Sequence, residues 1–246
     1  MCLSFYMCQP KRLIAMNFDN NGMKFRINHN HPRQWIVYVD GGQGSYPSFG
    51  VTYDGVFANN LLVPDNGLGK YKRPSTKRTH TTKLVTDLLT EQIPPAEIGG
   101  YLSRVEVVNT PAWSTHVMVA DGQGHVFIVE PGRGVTTYHE TDEPVVIMSN
   151  ESVWEIEMGQ AQKECHRGII ASQALERMGH VSVAEAVNEA FKVLDAVSQK
   201  EGEWLTALSF VYDLDSHQVH YKLPVYNNVG AENQTGQIYT TILTEI

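Results

Sequence analysis

Met1-Cys2-Leu3-Ser4-Phe5-Tyr6-Met7-Cys8-Gln9-Pro10-Lys11-Arg12-Leu13-Ile14-Ala15-Met16-Asn17-Phe18-Asp19 opens the chain, and its reading decides the architecture. Strand-forming residues run from Cys2 to Cys8, Gln9-Pro10-Lys11 reads as a turn, and Arg12 to Phe18 is apolar enough to return as a second strand. Asp19-Asn20-Asn21-Gly22 then ends the hairpin, because these residue types tolerate the backbone angles of tight turns.

Outward from this hairpin, short strands are expected at 24–28, 35–39, 50–52 and 56–63, separated by Gly, Pro and Asn. Residues 80–104 change character: Leu84, Leu88, Leu89 and Ile98 recur at helical spacing, and Pro94-Pro95 divides two short helices. A second block of strands follows at 116–120, 125–130, 134–138 and 145–149, with Asp121-Gly122-Gln123-Gly124 as a hairpin turn.

Two longer helices are expected over 153–178 and 182–198. In the second, Ser182 and Glu185 have capping-box spacing, and Val183, Val187, Phe191, Leu194 and Val197 mark an apolar face. Strands at 204–213, 218–223 and 238–243 complete the chain, with 227–237 as a polar loop. This order gives an α+β fold of several layers, with helices packed outside mixed sheets. The length of 246 residues is compatible with one domain spanning 1–246.

Composition excludes several classes of function. With 27 acidic against 19 basic side chains the formal charge is −8, which disfavours nucleic acid as a partner because phosphate binding needs a concentrated positive field. The one basic cluster, Lys70-Tyr71-Lys72-Arg73 with Lys77-Arg78, reads as a solvated loop. No apolar run reaches the roughly 18 residues of a membrane helix, and the start lacks a leader pattern, so a cytoplasmic location is expected. Three cysteines, Cys2, Cys8 and Cys165, are too few for a disulfide framework and are read as thiols. His29 and His31 form the one close histidine pair, so neither a metal nor a cofactor is expected.

Cys2 is the position with the most chemistry. Methionine aminopeptidase removes Met1 when a small residue follows, which leaves a thiol and an α-amine on one residue. An α-amine with a pKa of about 7.7–8.0 can take a thiol proton near neutrality. A cysteine at position two also arises by chance, so the reading depends on its surroundings in the chain.

Those surroundings resemble the choloylglycine hydrolases, linear-amide hydrolases that include bile salt hydrolases and penicillin V acylases. The resemblance rests on Met1-Cys2 opening a strand, Asn17-Phe18-Asp19 ending the second strand, and Thr115-His116 through Val129-Glu130 as a strand pair. It continues with Ile147-Met148-Ser149-Asn150, with His166-Arg167-Gly168 on a helix, and with Thr206 to Asp213 plus His220-Tyr221 as a closing hairpin.

The resemblance implies an αββα N-terminal-nucleophile sandwich with Cys2 as nucleophile and Asp19 holding the α-amine. It implies that Arg167 braces Asp19 or favours the thiolate, and that the Asn150 side chain and the backbone N–H of Leu62 donate to an oxyanion. The substrate class would be a small-molecule amide, and the family tends toward homo-oligomers. The bland alternatives are a turn-capping Asp19, a strand-end Asn150 and a surface Arg167. Met16 stands where many relatives have arginine, which puts activity or specificity in doubt. Acyl transfer to an amine acceptor, and a non-catalytic binding protein of the same fold, stay open as rival functions.

Overall fold

The computed structural model describes residues 2–42, 44–157, 166–223 and 237–245. Strands β1 (Leu3–Met7), β2 (Leu13–Asn20), β3 (Phe25–Asn28), β4 (Gln34–Asp40), β5 (Ser45–Thr52), β6 (Val56–Asn59), β7 (Leu61–Leu62) and β8 (Arg78–His80) lead into helix α1 (Thr81–Leu89). A single 3₁₀ turn, Pro95–Glu97, precedes α2 (Ile98–Leu102), as expected where Pro94-Pro95 cannot continue a helix. Strands β9 (Glu106–Val108), β10 (Thr115–Asp121), β11 (His125–Glu130), β12 (Gly134–His139) and β13 (Val145–Met148) come next. Helices α3 (Val153–Glu157), α4 (His166–Met178) and α5 (Ala186–Ala196) are followed by β14 (Leu205–Asp213), β15 (Gln218–Lys222) and β16 (Ile238–Ile242).

Apart from β8 and β9, which pair in parallel on their own, the strands form two stacked sheets. One has the order β13-β1-β2-β14-β15-β16; the other runs β12-β11-β10-β6-β5-β4-β3, with β7 beside β10. Between them lies an apolar layer that includes Cys2, Tyr6, Ile14, Met16, Trp35, Phe57 and Phe210. The outer face of the first sheet packs Leu3, Phe5, Leu13 and Ala15 against α4 and α5. The outer face of the second packs Ile36, Ala58, Val117 and Val119 against α1 and α2. The result is the expected four-layer αββα sandwich.

Several expectations shift in detail. The helix expected over 182–198 begins at Ala186: the Ser182 hydroxyl donates to the Glu185 carboxylate instead of accepting from the Glu185 N–H, which goes to the Ser182 carbonyl, no capping box forms, and Val183 is exposed. The strand expected over 56–63 divides at Asn60, whose backbone N–H turns to the Ser48 carbonyl at 2.8 Å. Of the helix expected over 153–178, the parts 153–157 and 166–178 are helical, while 158–165, with Cys165, lies outside the described residues, as does most of the expected loop 227–237. Lys72 and Arg78 of the basic cluster pair with Glu106 at the surface. Among the described residues no helix is long and apolar enough to cross a membrane.

Phe210 on β14 reaches across to Trp35, Phe49 and Phe57, with ring centroids 5.0, 5.6 and 6.2 Å away. Because it joins the two sheets, Phe210→Ala should cost about 3–5 kcal/mol. Urea unfolding measures this, and Val183→Ala at the exposed position should change stability by less than about 0.5 kcal/mol.

Candidate active site

Alternation along β2 sorts its side chains. Leu13 and Ala15 face the helices, Ile14, Met16 and Phe18 face the other sheet, and the next two helix-side positions are the polar Asn17 and Asp19. Asn17 is buried and structural: its Nδ2 donates to the Leu194 carbonyl at 2.7 Å and its Oδ1 accepts from the Ser209 hydroxyl at 2.7 Å.

Asp19 is almost fully buried. Its Oδ2 accepts from Arg167 Nη1 at 2.6 Å, and its Oδ1 accepts from the Thr206 hydroxyl at 2.6 Å. Arg167 Nε donates to the Val197 carbonyl at 2.6 Å, so one guanidinium joins the end of α5 to the carboxylate. Thr206 pairs with Asp19 across the β2–β14 ladder, just before a bulge at Ala207. The same hydroxyl accepts from the Gln199 N–H at 2.8 Å.

Cys2 lies in the inter-sheet layer beside β2. Its Sγ accepts from the Asp19 N–H at 3.3 Å and faces the Asp19 carbonyl at 3.6 Å. Burial pushes the thiol up to about 12; the Asp19 charge adds to the rise, while the Asp19 N–H and Arg167 oppose it. Continuing the β1–β13 register, in which Ser4 faces Met148, brings Asn150 opposite Cys2. Asn150 is buried, and its Nδ2 donates to the Leu62 carbonyl at 2.5 Å. The contact is thus to the Leu62 carbonyl, whereas the sequence reading concerned the Leu62 N–H; the second Nδ2 hydrogen of Asn150 is not used by that bond.

Met16 is fully buried beneath this region, with its sulfur 3.7 Å from Asn59 Nδ2. Asn59 also donates to the Ser4 hydroxyl at 3.0 Å and accepts from the Met118 N–H at 2.9 Å. A thioether, a hydroxyl and a carboxamide therefore meet at this point between the sheets. Trp35 and Phe57 are core, and Phe25 and Tyr53 pack against that core.

A cleft of about 260 Å³ opens next to Asn150. Asn150 lines it, while Cys2 does not. Two residues that the sequence reading treated only as strand positions, His116 and Glu130, stand in its wall. His116 is buried, with Nε2 2.6 Å from the Ser149 carbonyl. Glu130 accepts from the Trp154 N–H at 2.9 Å. Burial alone would raise the Glu130 carboxyl, but the His116 ring, the Ser152 hydroxyl and the Trp154 N–H outweigh it and hold the group below its ordinary value. Together these contacts grip the segment 149–154 on both sides of Asn150.

No protein-family model matches the chain, and no curated protein matches it in sequence. Solved structures do match. The C2A mutant of conjugated bile acid hydrolase from Clostridium perfringens is 13% identical, with 99% of this chain and 92% of that chain covered, at a TM-score of 0.66. Penicillin V acylase from Agrobacterium tumefaciens is 16% identical, covering 100% of this chain and 87% of that one, at a TM-score of 0.63. A Caenorhabditis elegans ortholog of N-acylethanolamine-hydrolyzing acid amidase is 14% identical, covering 87% and 93%, at a TM-score of 0.59.

Two outcomes test this geometry. Arg167→Leu strands the buried Asp19 carboxylate and should destabilise the chain by about 3–5 kcal/mol, read by chemical denaturation. For Glu130 the folded carboxyl is depressed, so its stabilising contribution is present above the unfolded value of about 4.3 and is lost as pH falls through the folded value. Glu130→Gln should accordingly flatten the acid limb of the stability–pH curve. At such low identities the likeness concerns architecture, and the chain has the αββα fold of the N-terminal-nucleophile hydrolases.

Proposed function

We propose that the chain hydrolyses linear amide C–N bonds, with Cys2 as nucleophile once Met1 has been removed. The observation that carries this reading is the Cys2 sulfur, 3.3 Å from the Asp19 N–H, on a strand whose neighbour ends in a carboxylate fixed by Arg167 and Thr206. Asn150 across the register supplies the second part of the argument.

In the proposed reaction the freed α-amine of Cys2 takes the thiol proton as sulfur attacks the amide carbonyl carbon. A buried thiol with a pKa near 12 is neutral at rest, so a base on the same residue is what the step requires. The carbonyl π electrons move to oxygen, where the free Nδ2 hydrogen of Asn150 and the Leu62 N–H donate. Collapse of this intermediate breaks the C–N bond, and the α-ammonium returns its proton to the departing nitrogen. Water then attacks the acyl thioester and gives one proton to the α-amine. The C–S bond breaks, the carboxylic acid leaves, and sulfur recovers its proton. Asp19 holds the amine and stabilises its protonated form.

The seclusion of Cys2 from the cleft favours a second reading, a non-catalytic binding protein of the same fold. Intact mass separates the two, because a retained Met1 acylates the amine and blocks the mechanism. With fluorogenic amides of varied acyl and amine halves, Cys2→Ala should abolish turnover while the circular dichroism spectrum and unfolding midpoint stay close to wild type. Full activity in that variant would sink the hydrolase reading.

A further inference from the structure

Along the inter-sheet faces of β10 and β11 the apolar stripes end in one pair of polar residues. Met118 and Ala120 on β10, and Val126 and Ile128 on β11, belong to the apolar layer. Extending the β10–β11 register, in which Val117 faces Val129, by one residue sets His116 opposite Glu130 on that same face. Both are buried. Polar side chains taken out of water need partners, and theirs lie on the segment that carries Asn150. The His116 ring reaches the residue before it: Nε2 lies 2.6 Å from the Ser149 carbonyl, which can only accept, so Nε2 carries the donated proton. Glu130 Oε1 stands 3.9 Å from Nδ1, across the ring, and Oε2 accepts from the Trp154 N–H at 2.9 Å. The segment is thereby pinned immediately before Asn150 and again at Trp154.

The main chain of His116 governs the other donor. Strand β7 pairs antiparallel with β10, Leu61 opposite His116 and Leu62 opposite Thr115. The Val63 N–H donates to the Ser114 carbonyl at 3.0 Å, which makes Val63 and Ser114 a hydrogen-bonded pair. Such pairs alternate along an antiparallel ladder, so Leu61 and His116 form the next bonded pair, and Leu62 turns its N–H and C=O away from β10. On that side the Leu62 carbonyl meets Asn150 Nδ2 at 2.5 Å. One residue thus holds β7 by its backbone and the Asn150 segment by its ring.

We propose that His116 is a positioning residue for the oxyanion site, setting the separation of the Leu62 N–H from the Asn150 side chain. This role rests on the hydrolase reading of Cys2, in which those two groups receive the charge of the carbonyl oxygen. Such donors must stand about 2.7–3.1 Å from a place the oxygen takes only in the transition state. A displacement of about 1 Å in a group of this kind costs about a hundredfold in rate. One Nδ2 hydrogen of Asn150 is committed to Leu62, so the second points where the seat of the segment directs it. Loss of the ring contact therefore acts on the transition state and leaves binding of the intact amide in place.

Steady-state kinetics on the Met1-free chain test this with the 7-amino-4-methylcoumarin amides of acetic, phenylacetic, octanoic and palmitic acids, using the amide cleaved fastest. His116→Leu should lower kcat about 10- to 100-fold and move KM by less than about twofold. His116→Gln, which keeps an N–H donor on a side chain of comparable reach, should recover kcat to within about fivefold of wild type. Asn150→Ala should cost about 100- to 1,000-fold. His116→Leu added to it should cost less than about threefold more, because the group that His116 positions is already gone. Urea unfolding of each variant gives the folded fraction to which kcat is referred; should His116→Leu fold poorly, His116→Asn, whose shorter amide falls short of Ser149, takes its place. Equal losses of kcat with and without Asn150, or a His116→Gln variant as slow as His116→Leu, overturn the positioning role and leave the hydrolase reading standing. Cleavage of none of the four amides overturns the hydrolase reading, and this role with it.

Discussion

A carboxylate taken out of water has to find charge and hydrogen bonds of its own, and Asp19 sets that demand at the end of the second strand. Arg167 comes from α4 and Thr206 from β14, so satisfying one side chain fixes a helix and two strands relative to each other. Arg167 also binds the carbonyl of Val197, just past α5, and extends the tie to both helices of that layer. The backbone N–H of the same aspartate contacts the Cys2 sulfur, so the placement of the thiol follows from the burial of the charge. Replacing the pair by apolar residues could hold the layers together equally well.

The opposite face of the hairpin meets a second polar tie. Asn59 spans the dry space between the sheets, giving a hydrogen bond to Ser4 and receiving one from the backbone of Met118. With Phe210 wedged against Trp35, Phe49 and Phe57, the stacking of the sheets is set both by apolar volume and by one carboxamide with demanding geometry. Met16, beside that carboxamide, belongs to the apolar interior between the sheets.

Much of the fold was legible because its signals are local. The Cys2–Phe18 hairpin, the break at Pro94-Pro95 and the turn at Asp121–Gly124 depend on residues adjacent in sequence, and the α+β order follows from them. The helix starts later than Ser182 because its hydroxyl can either accept from the Glu185 N–H or donate to the Glu185 carboxylate, and spacing alone does not choose between them. The site was legible only through resemblance. Asp19 and Arg167 lie 148 residues apart, and Asp19 and Thr206 lie 187 apart, so no periodicity links them. Thr206, His116 and Glu130 read as ordinary strand residues, since a polar residue on a strand carries no mark in sequence of its burial or of what it will face.

Because β2 uses one set of alternate residues for the helix layer and the other for the space between the sheets, its two faces are not interchangeable. Inserting or deleting a single residue within this strand would rotate Asp19 into the apolar interior and Phe18 toward Arg167. Length changes in the Cys8–Arg12 turn, outside the ladder, carry no such penalty. Evolutionary drift in this hairpin should therefore be confined to its tip, with the arm that leads to the carboxylate held to a constant count of residues.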